Sequence, residues 1–261
     1  MRAEELIQAG NIEAALADLQ DRVRKNPADS SLRVFLFQLM ALLGQWERAA
    51  SQLQIVQELD QDAWPMVHAY RDAINCERHR EAVFQGQVRP LVLGQPEEWM
   101  AQLIEAQQAF AHGELSLFEE LNTKAFEQAP AISGKINDEP FEWLADADQR
   151  FGPVLEVVFN SQYYWAPFSA IKALRSEAPT DLRDLIWLPA EATWSNGGKN
   201  MVLIPARYPL VSGVSNEHLL ARKTDWVGKD NEVPEGIGQR MLITDQSDYP
   251  LLQVRSIELD F

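Results

Sequence analysis

The sequence predicts an α+β chain in two parts, helical over residues 1–132 and strand-rich and barrel-like over residues 133–261. Three observations predict this. A 34-residue spacing repeats in the first half, helical periodicity fades between Ala131 and Pro140, and short β-branched or aromatic runs follow. A length of 261 residues suits two compact units.

In the first half, Gly10, Ile12, Ala15 and Leu19 recur 34 positions later as Gly44, Trp46, Ala49 and Leu53. This is the tetratricopeptide period: a small residue ends one helix, a bulky one packs the turn, and an alanine lets the next helix approach closely. Leu32, Phe35, Leu36, Leu39, Met40 and Leu43 form a wide apolar helix face, which Asp29 or Ser30 caps at its start. Residues Trp64 to Val88 read as helical but out of register, a degenerate repeat. Pro96, Glu97 and Glu98 open a helix running to about Ala111. The 17-residue spacing of Gly10 to Pro27 returns at Gly113 to Pro130. The expectation is a TPR-like α-α superhelix of three to four hairpins with a concave face. Its partner-binding candidates are Val34, Gln38, Leu103, Gln107 and Phe110, each of which also suits plain packing.

In the second half, Val154–Phe159, Tyr163–Phe168, Leu185–Leu188 and Met201–Ile204 carry strand composition between Gly, Pro and Asn. Asn160-Ser161 and Asn196-Gly197 are turn dipeptides. Further strands are expected at Thr224–Val227, Gln239–Thr244 and Leu251–Leu259, with short helical pieces near Ser169–Arg175 and Asn216–Ala221. Five of the eight tryptophans fall here and are assigned to an aromatic core.

The charge of −16, from 39 acidic and 23 basic residues, repels nucleic acid and anionic membrane surfaces. It serves solubility or the attraction of a basic protein surface. The single cysteine, Cys76, fits a reducing compartment and reads as a buried structural thiol. The N-terminal residues lack a signal peptide's basic start and apolar run, and no segment approaches the roughly 20 apolar residues of a membrane span. A cytoplasmic location is expected.

The chemistry of a reaction is not visible. His68, His79, His112 and His218 have no metal-ligand spacing, so no metal or cofactor is expected. Gly197-Gly198-Lys199 lacks the rest of a phosphate loop, and Gly236-Ile237-Gly238 lacks the third glycine of a dinucleotide fingerprint. Asp146, Asp148 and Glu156 suit a solvated face better than paired catalytic carboxylates. Asp148, Arg150, Asp184 and Arg222 form either a structural ion-pair network or the site of a hydrolase or transferase, which is the alternative to a non-enzymatic scaffold.

Specific motifs run along the second half. They are Asp146-Ala147-Asp148-Gln149-Arg150-Phe151-Gly152-Pro153, Tyr163-Tyr164-Trp165-Ala166-Pro167-Phe168, Leu182-Arg183-Asp184-Leu185-Ile186-Trp187-Leu188-Pro189-Ala190, Ile204-Pro205-Ala206-Arg207-Tyr208-Pro209, Ala221-Arg222-Lys223-Thr224-Asp225-Trp226 and Gly238-Gln239-Arg240-Met241-Leu242. In this order they resemble the ImpE family. The resemblance implies a non-enzymatic, cytosolic type VI secretion adaptor that associates with the small sheath subunit TssB and the AAA+ ATPase ClpV. The implied role is sheath handling or recycling. It marks Asp148, Arg150, Asp184, Trp187, Arg222 and Trp226 as motif residues. The physical expectation that goes with it is an amphipathic partner helix lying in the solenoid groove or between the two parts.

Overall fold

The structure is a computed structural model describing residues 2–95, 97–211, 213–228 and 233–260. Helices α1 (Ala3–Gln8) and α2 (Ile12–Lys25) form a first hairpin, and α3 (Ser30–Leu42) and α4 (Trp46–Leu59) a second. Gly10 and Gly44 end α1 and α3 with φ of 76° and 68°, the left-handed conformation that glycine adopts without a Cβ penalty. The repeat positions that follow, Ile12 and Trp46, Ala15 and Ala49, Leu19 and Leu53, are all buried. Asn11 caps α2 by accepting from Ala14 N at 3.1 Å, and Asp29 caps α3 by accepting from Leu32 N at 3.1 Å.

The third repeat departs from the pattern. α5 (Trp64–Phe84) is a single 21-residue helix; after it Gly86 turns the chain into β1 (Leu91–Val92), which leaves the solenoid. The last hairpin is α6 (Glu98–Ala111) with α7 (Leu115–Gln128), joined through Gly113 at φ 77°. Glu97 and Glu98 stand at the start of α6 as expected, whereas the expected Pro96 opening lies outside the described residues.

Beyond α7 come β2 (Gly134–Ile136), β3 (Glu139–Phe141), β4 (Leu144–Asp146), β5 (Val154–Phe159), β6 (Gln162–Pro167), β7 (Ile171–Ser176), β8 (Trp187–Trp194) and β9 (Lys199–Pro205). Then follow α8 (Asn216–Leu219), β10 (Thr224–Val227), β11 (Glu235–Gly238), β12 (Met241–Thr244), β13 (Asp248–Pro250) and β14 (Ser256–Leu259). Asn160 and Ser161, both at positive φ, make the β5–β6 turn, and Asn196-Gly197 makes the β8–β9 turn.

Nine strands form one sheet in the order β1-β6-β5-β9-β8-β7-β14-β2-β3. The sheet is open, which corrects the barrel-like expectation. Its end strands do not meet: β1 is two residues long, and β3 carries Pro140, whose missing N–H suits an edge. All its pairings are antiparallel except β1 on β6. A second sheet runs β13-β12-β4, and β10 pairs with β11.

Ser169–Arg175, expected to be helical, is a 3-10 turn followed by β7. A register shift between Ile171 and Ala173 breaks the period-two pattern that would have revealed the strand. The stretch where helical periodicity fades, Ala131 to Pro140, holds most of the β2–β3 hairpin, closed by Asn137 and Asp138 at φ of 49° and 69°.

The helices wrap the sheet. One apolar cluster joins α1 to α5 with Ile186, Trp187, Leu219 and Leu220, and another joins Cys76, Val83, Trp99 and Leu103 to Val154, Tyr163 and Trp165. Both clusters are thus shared between the helical half and the second half of the chain.

Candidate functional site

The inner face of α5 buries Ala73, Ile74, Cys76, Val83 and, among them, Glu77 and Arg80. Two charges on a buried helix face must find partners across the interface or forfeit several kcal/mol of hydration each. Arg80 donates to both oxygens of Glu156, from Nε at 2.7 Å and Nη2 at 2.8 Å, to Glu77 at 3.3 Å and to the Arg207 carbonyl at 2.9 Å. Glu156 on β5 also accepts from Tyr163 Oη and Arg240 Nη2. Arg240 donates to Asp146 Oδ2 at 2.5 Å, and Asp146 accepts from Tyr208 Oη and Asp148 N, both at 2.9 Å. Trp187 Nε1 donates to Glu77 at 2.9 Å.

A second cluster adjoins the first. Asp148 holds Arg150 through Nε and Nη2 and accepts from Gly236 N at 2.9 Å, while Arg150 Nη1 donates to Glu235 at 2.5 Å. Asp146, Asp148 and Glu156 are thus fully buried, not the solvated face expected of them. Burial opposes ionisation of Glu156, yet Arg80 and Arg240 together hold its carboxyl below the usual range. Burial, partly offset by Arg240 and reinforced by Asp148, pushes Asp146 up to about 7. Burial pulls the Arg207 guanidinium down to about 10; its Nη1 donates to the carbonyls of Leu42 and Leu219, at the C-terminal ends of α3 and α8. These groups answer one another and tie α5 to β4, β5 and the segment before β12.

A cleft of about 320 Å³ opens beside this network, lined by Trp46, Glu81, Phe84, Phe110, Arg150 and Leu210 among others. A further hollow of about 470 Å³ shares Phe110 and Glu235 with it and adds Leu115, Val227 and Val233. The Arg150 guanidinium lies 5.5 Å from the ring centres of both Phe84 and Phe110. Glu81 accepts from Trp46 Nε1 at 2.6 Å. This aromatic slot with carboxylates at its rim can hold an apolar side chain with a basic neighbour.

Of the expected groove residues, Phe110 alone lines this cleft, and the structure brings it together with the motif residue Arg150. Val34 is half-buried against the first apolar cluster, Gln38 donates to Asp181 at 3.3 Å, Leu103 is buried against the sheet, and Gln107 reaches the Phe84 carbonyl at 3.5 Å. Those four make contacts within the chain, Leu103 alone among them against the strands.

The other motif residues lie apart. Asp184 accepts from Thr180 N and Asp181 N at 2.8 and 3.0 Å, Arg222 donates to the Ile7 carbonyl at 3.1 Å and to Glu217 at 3.4 Å, and Trp226 is 44% exposed beside the Tyr208 ring. Asp148, Arg150, Asp184 and Arg222 therefore do not converge on one site: the first two pair with each other, and the last two serve separate backbone turns.

The sequence reading missed Glu77, Arg80, Trp46 and Phe84. The available signal was a Glu and an Arg three residues apart on an otherwise apolar helix face. It also missed a row formed by Ser215 Oγ, His218 and Asp225. Ser215 Oγ lies 2.9 Å from His218 Nδ1, and His218 Nε2 lies 3.0 Å from Asp225. His218 Nδ1 accepts the Ser215 N–H at 3.2 Å, so Nε2 carries the proton toward Asp225; the arrangement doubles as a capping box for α8. Among the described residues no group of three or more His, Cys, Asp or Glu side chains could hold a metal ion, and no helix is long and apolar enough to cross a membrane.

Helical hairpins wrapped on an open sheet, with a buried ionic seam between them and an aromatic cleft beside it, define a helical-repeat α+β protein. The chain belongs to the ImpE family. Residues 138–258 match the family described as ImpE protein. Over 262 residues it is 49% identical to the type VI secretion system accessory component TagJ of Pseudomonas aeruginosa, covering 100% of this chain and 91% of that one. The crystal structure of a Vibrio parahaemolyticus protein shares the fold, with a TM-score of 0.91 at 24% identity, covering 99% of this chain and 97% of that one.

Proposed function

We propose that the chain is a non-enzymatic, cytoplasmic accessory component of a type VI secretion system, an adaptor that binds a helix of the small sheath subunit TssB and assists sheath handling or recycling with the ATPase ClpV. The observation that carries this reading is the 49% identity to TagJ along the whole chain. The cleft supports it physically: Trp46, Phe84 and Phe110 offer aromatic walls, and Glu81 and Glu235 offer charge to the basic flank of an amphipathic helix. The test is isothermal titration of the full chain with the N-terminal helical segment of the small sheath subunit from the same gene cluster. Micromolar or tighter binding is expected, weakened about tenfold by Glu81→Lys. Absence of binding by the parent chain overturns the reading; binding untouched by the substitution moves the partner to another face.

A second reading, a hydrolase, is favoured by the Ser215–His218–Asp225 row. It predicts labelling of Ser215 by a fluorophosphonate probe, lost in Ser215→Ala. The adaptor reading predicts no labelling.

A further inference from the structure

A second hollow lies on the other side of the Asp146–Pro153 segment. Gln149 and Pro153 line it, whereas Arg150 lines the cleft, so this segment is the wall between the two. The hollow measures about 390 Å³ and is mainly apolar, with Phe126, Ala131, Trp143, Leu144 and Ile243 in its lining.

Its two aromatic walls are exposed, Phe126 by 40% and Trp143 by 38%. Phe126 is seated on purpose in the packing sense: a Cβ on Gly152 would stand 2.2 Å from its ring, and Gly152 sits at φ 52°. The backbone thus makes room for a ring that stays open to solvent. Exposed, held aromatics beside a concavity are the usual form of a binding hot spot.

The charge beside the lining decides the occupant. Glu127 follows Phe126 in the chain, Glu142 precedes Trp143, and Asp245 accepts the Glu142 N–H at 2.8 Å. No lysine or arginine is among the described residues lining the hollow, and the whole chain carries −16. A second copy, equally acidic, meets like charge here.

We propose that this hollow docks a segment of a partner protein presenting one bulky apolar side chain flanked by lysine or arginine. The inference does not rest on the cleft or on the identity of its ligand. An accessory protein with two such faces can hold two partners at once.

The test uses a fluorescein-labelled helical peptide of lysine and leucine, and its glutamate and leucine counterpart, titrated with the full chain at physiological salt by fluorescence anisotropy. The lysine peptide is expected to bind, and Trp143→Ala to weaken it about tenfold or more. Glu142→Lys, at the exposed residue before Trp143 with the apolar walls intact, is expected to weaken it several-fold, while Glu81→Lys in the cleft leaves it unchanged. The proposal is overturned if the lysine peptide does not bind, if Trp143→Ala and Glu142→Lys both bind it as the parent does, if Glu81→Lys alone abolishes binding, or if the glutamate peptide binds equally.

Discussion

Arg240 links the two carboxylates of the ionic seam, Asp146 and Glu156. It is fully buried, forks onto Asp146 and Glu156, donates through Nε to the Pro205 carbonyl at 3.1 Å and lies 4.5 Å from the Phe151 ring centre. Removing it leaves buried Asp146 without a cation and Glu156 with Arg80 alone, so Arg240→Ala is expected to cost about 3–5 kcal/mol in chemical denaturation, and Arg240→Lys to recover little because an ammonium cannot fork. Asp146 sets a pH dependence. Its pKa is raised on folding, so its contribution is full below its ordinary value and is lost as pH rises through about 7. Glu156, held below its usual value, contributes above that value and loses its contribution as pH falls. Thermal stability is therefore expected to decline from about pH 5.5 to about pH 8, and Asp146→Asn to flatten that decline. A rise over the same range in the parent chain counts against the assignment. Cys76 is buried, and burial together with Glu77 and Asp72 pushes its thiol up to about 12. It is expected to react with a thiol reagent only after unfolding.

At the scale of elements, the glycines that punctuate the helices were legible in the sequence because a left-handed turn every 34 residues leaves a spacing that side-chain chemistry alone can reveal. Gly44 tests the point. It stands at φ 68°, and a Cβ there would come 2.8 Å from Leu210, so Gly44→Ala is expected to cost about 1–2 kcal/mol by calorimetry. β5 and β10 were legible from their β-branched and aromatic residues, Val154, Val157, Val158 and Phe159 in one and Thr224, Trp226 and Val227 in the other. β7 was not, because a bulge displaced its alternation, and neither were β2 and β3, three residues each around a tight turn. The site was legible only in pieces. Phe110 came from helix periodicity and Arg150 from a family motif, but nothing local joins them; their meeting depends on how the last hairpin packs on the sheet. Glu77 and Arg80 were missed because their distant partners, Trp187 and Glu156, are 110 and 76 positions away along the chain.

For the whole molecule, apolar clusters cross from helices to strands: Trp187 packs among α1 to α5, and Leu103 among β5 and β6. The chain is expected to unfold in a single transition, with near- and far-ultraviolet circular dichroism coinciding. Two separated transitions are the result that sinks this expectation. The same crossing accounts for Val34 and Leu103, two of the residues anticipated for a partner, packing within the chain.

The ionic seam also has a history in each molecule, written by the ribosome. Arg80 leaves the exit tunnel long before Arg240, the residue that completes its carboxylate partner's shell. At 5–20 residues per second, those 160 positions take roughly 8–32 seconds to synthesise. During that interval the nascent helices have no finished sheet to wrap, and β14, which sits between β7 and β2, arrives last of all. Newborn chains stalled before Arg240 should therefore be cut readily by protease within α5, and protection should come only with release of the complete polypeptide.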